Sequence, residues 1–110
     1  MTPVSNDVIL IVDDSKFICA SIFPGTARLG LSSLIASDGK TGLFAAESCK
    51  PGIILLDMLM PDMDGAEVLR KLKQTPSTSH IPVLAISSLS ETNGKMLIQE
   101  GAAGTLKRFP

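Results

Sequence analysis

Three aspartates stand at the ends of the two most apolar runs in the chain. Val8–Val12 (VILIV) stops at Asp13-Asp14, and Ile53–Leu56 (IILL) stops at Asp57. Carboxylates that converge repel one another unless a cation or protons compensate. Mg²⁺ suits such a place, being a hard octahedral ion held by one or two carboxylates together with water and phosphate oxygens. Further on, the run Val83–Ile86 (VLAI) is followed by Ser87 and Ser88, and the weaker run Gly104–Lys107 (GTLK) leads to Lys107 and Arg108. A hydroxyl and a cation reaching into the same crevice are what a phosphoryl group needs, because charge spreads over its equatorial oxygens during transfer. Singly, each feature has a plain explanation: an Asp caps a helix, Ser-Ser makes a turn, and a terminal Lys-Arg is solvated. Ordered as Asp-Asp, Asp, Ser and Lys at successive strand ends, they form a constellation.

A sheet is what must position them. None of the apolar runs alternates polar with apolar residues; short, continuous and β-branched, they fit strands covered on both faces, as in a parallel sheet. Leu31–Ala36 (LSSLIA) and Gly104–Lys107 supply two weaker strands. The segments between are long enough for crossover helices, so strand and helix alternate. In such a sheet the carboxyl ends of the strands border the ligand crevice. The best helix signal is Asp64–Lys73, with Asp64 as N-cap, Glu67 placed for a capping box, and Val68, Leu69 and Leu72 on one face. Asp38 caps another helix, which carries Leu43 and Phe44 inward and stops before Pro51-Gly52. Ser90 caps a third, with Met96, Leu97 and Ile98 apolar and Gly101 as its stop; the Asn93-Gly94 pair weakens it. A helix capped by Ser15 carries Phe17, Ile18, Ile22 and Phe23, and Pro24-Gly25 kinks it or ends it early.

Composition bounds the function classes. A chain of 110 residues is one domain, 1–110, and 45% hydrophobic residues exclude a disordered tail. Ten Lys/Arg against eleven Asp/Glu give a net charge of −1, with no electrostatic footprint for nucleic acid or an anionic membrane. No apolar run approaches the roughly 18 residues of a membrane span. The start, MTPVSND, is unlike a signal peptide. Cys19 and Cys49 lack metal-site spacing and read as small buried hydrophobes in a reducing, cytoplasmic setting.

The runs Ile9-Leu-Ile-Val-Asp-Asp-Ser15, Ile54-Leu-Leu-Asp-Met-Leu-Met-Pro-Asp-Met-Asp-Gly65, Ile81-Pro-Val-Leu-Ala-Ile-Ser87 and Gly101-Ala-Ala-Gly104 resemble the receiver domain of two-component response regulators, chemotaxis regulators among them. They span nearly the whole chain in that family's order, and the second is highly specific. The resemblance implies a flavodoxin-like, doubly wound α/β fold with five parallel strands in the order 2-1-3-4-5. It implies that Asp57 accepts a phosphoryl group from the phosphohistidine of a sensor histidine kinase or phosphotransfer protein. It further implies that Asp14 binds Mg²⁺ directly and Asp13 mainly through water, with Asp57 and the backbone carbonyl of Leu59 completing the protein ligands. Ser87 would hydrogen-bond the phosphoryl oxygen and switch the Ser87–Gly101 region, making the chain a signalling domain rather than a turnover enzyme.

Departures from the family pattern sharpen the expectations. Counted without gaps from Gly101, the family's lysine falls on Arg108, whereas chemistry favours Lys107; one of the two fills the cationic position. Thr105 stands where Tyr or Phe is usual, so a switch here uses something other than that ring. The family's fifth helix would start after Pro110 and is missing. That implies an exposed apolar patch, a homodimer through the uncovered face, or a piece of a longer protein. These departures also support an alternative: a receiver-like interaction module whose phosphorylation is vestigial. An Asp-nucleophile phosphatase of the dehalogenase type would need Asp where Leu59 stands, and a flavin carrier would need a Ser/Thr/Gly loop in place of Asp13-Asp14. His80 reads as an exposed loop residue, Met58, Met60 and Met63 as packing, and Asp62 and Asp64 as turn and cap.

Overall fold

The computed structural model describes residues 8–13, 30–58, 64–87 and 91–107, with the backbone alone at 87, 91–94, 106 and 107. Five strands, β1 (Val8–Val12), β2 (Ser32–Ala36), β3 (Ile53–Asp57), β4 (Val83–Ser87) and β5 (Gly104–Lys107), alternate with helices α1 (Gly39–Cys49), α2 (Gly65–Gln74) and α3 (Glu91–Gln99). All strand pairs are parallel, in the order β2-β1-β3-β4-β5. This is the expected doubly wound sheet. Both β3 and β4 run one residue past their apolar runs and take in Asp57 and Ser87. The helix expected from Ser15, its Pro24-Gly25 break, Cys19 and the Ser90 cap lie outside the described residues.

Strand alternation divides the core. Leu10, Val12, Ile54, Leu56, Val83 and Ala85 pack with Ala46 of α1, with Val68, Leu69 and Leu72 of α2, and with Leu97 of α3. Ile11, Leu55 and Ile86 form a smaller cluster on the opposite face. Full burial of each large aliphatic side chain among them is worth about 1.5–3 kcal/mol. On this second face Ile11 of β1 is buried, while at the sheet edge its β2 partner Ile35 is 44% exposed.

The helix caps mostly follow the sequence. The Asp38 carboxylate accepts from the Thr41 N–H at 2.7 Å, and Asp64 accepts from the Ala66 N–H at 3.2 Å. Glu67 makes an i,i+4 ion pair with Lys71 at 3.7 Å on α2's surface. Two expectations for α1 fail. Its inner face is Gly39, Gly42 and Ala46, with Leu43 half-buried beside them, whereas Phe44 is 71% exposed. A Cβ on Gly42 would lie 2.8 Å from both Val12 methyls, so the helix meets the sheet through a glycine. Phe44, two residues on, is turned about 200° away. Cys49, the last residue of α1, is exposed rather than buried. In α3, Leu97 turns inward while Met96 and Ile98, about 100° to either side, face out.

Candidate functional site

The carboxyl ends of β1 and β3 bring two acids side by side. Val12 and Leu56 are register partners, so Asp13 and Asp57 follow in step on neighbouring strands, which run about 4.8 Å apart. Each is only 1% exposed. The Asp13 N–H donates to the Ala36 carbonyl at 2.9 Å, fixing the exit of β1 against β2. The Met58 N–H donates to the Ile86 carbonyl at 3.1 Å, which holds the chain against β4 one residue beyond Asp57. Both acidic positions are therefore set by backbone ladders rather than by mobile loops.

The chain returns to the site at Gly65. Its N–H donates to the Met58 carbonyl at 3.4 Å, and a Cβ there would strike Met58 Cα and lie 2.9 Å from the Asp57 carbonyl oxygen. This close approach of α2 to the end of β3 has a local signal, the Asp64-Gly65 pair opening a strong helix. In the sequence that glycine stands only as the last residue of the family motif that begins at Ile54. Asp14, Leu59, Met60, Asp62, Met63, Ser88 and Arg108 lie outside the described residues. At the far side, Ser87 and Lys107 are register partners at the ends of β4 and β5. Thr105 pairs with Ala85 two residues earlier and is exposed.

Asp38 is another acid at this end of the sheet, but it serves the α1 cap. The Thr41 backbone N–H, and then the Thr41 side chain, hold its carboxyl below the ordinary carboxylate range. His80 is exposed, and Met58 is buried in the core, as expected. Among the described residues no group of three or more His, Cys, Asp or Glu gathers as a metal site. Asp13 and Asp57 nonetheless supply the hard oxygen donors, held side by side, that a cation such as Mg²⁺ takes.

A doubly wound parallel sheet with paired acids at its strand ends defines a class of α/β proteins that bind at the carboxyl edge. Residues 9–109 match the family model described as the response regulator receiver domain, and the chain belongs to that family. Response regulator PleD of Caulobacter vibrioides is 45% identical over 74 residues, covering 66% of this chain and 16% of that protein. The alkaline phosphatase synthesis transcriptional regulatory protein PhoP of Bacillus subtilis is 36% identical over 92 residues, covering 84% of this chain and 38% of that protein. The chain thus spans well under half the length of these curated relatives. Among solved structures, the CheX-CheY-BeF3-Mg²⁺ complex of Borrelia burgdorferi aligns with a TM-score of 0.86 at 26% identity, covering 94% of this chain and 78% of that one. Receiver domains are signalling domains of two-component systems. No helix among the described residues is long and apolar enough to cross a membrane.

Proposed function

We propose that residues 1–110 form one phosphorelay receiver domain in which Asp57 accepts the phosphoryl group of a phosphohistidine. The observation that carries this is the pairing of buried Asp13 and Asp57 at adjacent strand ends. A carboxylate oxygen of Asp57 attacks phosphorus, the P–N bond breaks, and its electron pair returns to the donor imidazole, which takes up a proton. The nucleophile is modest, so its contribution is alignment, which the ladders on both sides of Asp57 provide. Asp13, Asp14, Asp57 and the Leu59 carbonyl would hold Mg²⁺, which when bound neutralises charge between the carboxylates and the phosphoryl oxygens.

Ser87 would then donate its hydroxyl to a phosphoryl oxygen, and the cation beside it would neutralise another. Lys107 or Arg108 would supply that cation: Lys107 is the register partner of Ser87, whereas Asp57 shares its row with Ile86 and Leu106, so strand alternation favours neither outright. An added phosphoryl of nearly −2 charge can draw Ser87 and the chain that leads into α3 inward, toward Asp57. With Thr105 in the usual aromatic position, that switch runs without a ring. The donor is a histidine kinase or phosphotransfer protein, which puts the domain on the cytoplasmic side. Acetyl phosphate with Mg²⁺ should add one phosphoryl mass to the protein, labile to hydroxylamine. The same treatment should add nothing to Asp57→Ala. A wild type that gains no such mass would favour an interaction module instead.

A further inference from the structure

Lys73, in the last turn of α2, touches two segments besides its own. Its Nζ donates to the Ile81 carbonyl at 2.7 Å and the Ser79 carbonyl at 3.1 Å, in the connection that leads to β4. Its stem lies along Gly101: a Cβ on that glycine would sit 2.8 Å from Lys73 Cγ. Gly101 has a φ of 115°, closed to ordinary L side chains, so the turn that ends α3 needs glycine for its backbone as well as for this contact. One turn back on α2, Arg70 Nη1 lies 3.4 Å from Glu100 Oε1.

The same end of α3 is tied to the sheet. The Ala102 N–H donates to the Leu97 carbonyl at 3.0 Å, and the Ala103 N–H donates to the Val83 carbonyl at 2.8 Å. Leu97 and Ala102 are each 5% exposed. The Arg70–Glu100 pair is half in water and adds little by itself. Lys73 is the stronger tie, because its head satisfies two carbonyls while its stem covers the α3–β5 turn. Partial burial also holds its ammonium below the ordinary lysine range.

We infer that Lys73 is a strap that locks the C-terminal end of α3 to α2 and the α2–β4 connection. It makes Glu100–Gly101 the fixed end of that helix. The inference does not depend on phosphoryl transfer, so amide hydrogen exchange on the unphosphorylated chain tests it. In Lys73→Ala, the amides of Glu100, Gly101, Ala102 and Ala103 should exchange on the order of tenfold faster. The amides of Leu10, Ile54 and Leu56 should change only as global stability changes. Lys73→Met, which keeps a stem but loses the donor, should show a smaller acceleration at the same four amides. Unchanged exchange there in Lys73→Ala, or acceleration equal to that of the β1 and β3 amides, would overturn the assignment.

Discussion

Gly65 and Met58 are in backbone contact: the Gly65 N–H donates to the Met58 carbonyl at 3.4 Å, and a Cβ on Gly65 would collide with Met58 Cα. The start of α2 is thereby seated on the residue that follows Asp57. Gly65 is not among the positive-φ residues, so the requirement is for space, not for an unusual conformation. The obstructing atoms are main chain and cannot rotate away. Gly65→Ala should therefore destabilise the domain by about 1–3 kcal/mol, readable as a lower urea midpoint at constant m-value. Because the shift falls on the chain leaving Asp57, labelling by acetyl phosphate should slow as well.

Gly42 makes a useful contrast. Its added Cβ would meet the Val12 methyls at 2.8 Å, which are side-chain atoms. Alanine in a helix interior gains roughly 1 kcal/mol over glycine, which offsets part of the crowding. Gly42→Ala should thus cost less than Gly65→Ala, within about 1 kcal/mol of wild type. Combining it with Val12→Ala should reveal favourable coupling, because the smaller residue removes the clash. Strictly additive free energies in that cycle would mean that α1 does not press on β1 at this point.

Asp38 predicts an acid-side dependence. Its folded carboxyl sits below the ordinary value of about 3.9 because Thr41 donates to the charged form. The sign follows from proton counts: on acidification the unfolded chain binds the proton first, so stability falls as pH falls. The cap's contribution is complete above the unfolded value and is lost as pH drops through the folded one. Asp38→Ala should lower the Tm at pH 7, and the gap to wild type should narrow in scans carried to pH 2. A gap constant over that range would show that the loss is not electrostatic.

How much of this was legible in the chain depends on range. The strands could be read because burial on both faces forces a continuous apolar run, and Asp13 and Asp57 stood out because they end two such runs. The Asp38 and Asp64 caps are local chemistry and were also readable. Phe44 was not: size alone suggested the inner face, whereas Gly42 sets the phase of α1 against Val12. Cys49 ends up exposed for a related reason, since its place at the helix terminus outweighs the usual preference of its type. The contacts of Lys73 with Gly101 and of Arg70 with Glu100 join residues 28 and 30 positions apart. Nothing in either local sequence marks them. Lys107 and Arg108 differ by one position at a strand end, a difference that ungapped counting does not resolve; β5 runs to Lys107, opposite Ser87, and Arg108 lies outside the described residues.

Removing the Asp13 charge should have opposite effects on stability and on metal binding. Asp13 and Asp57 are both 1% exposed on adjacent strand ends, where like charges interact more strongly than in water. Asp13→Asn keeps the shape and backbone bond while removing one charge. Without divalent metal it should raise stability by roughly 1 kcal/mol, because the repulsion on Asp57 is relieved. In wild type, added Mg²⁺ should raise the Tm with increasing concentration, as expected for a ligand that binds only the folded chain. In Asp13→Asn that rise should shrink markedly, together with the rate of acetyl phosphate labelling. Thermal melts of both proteins in EDTA and across a Mg²⁺ series separate the two effects. If Asp13→Asn were less stable than wild type in EDTA, the carboxylate would be serving the fold through its own hydrogen bonds. If it kept the full Mg²⁺ response, Asp13 would not be part of the metal site.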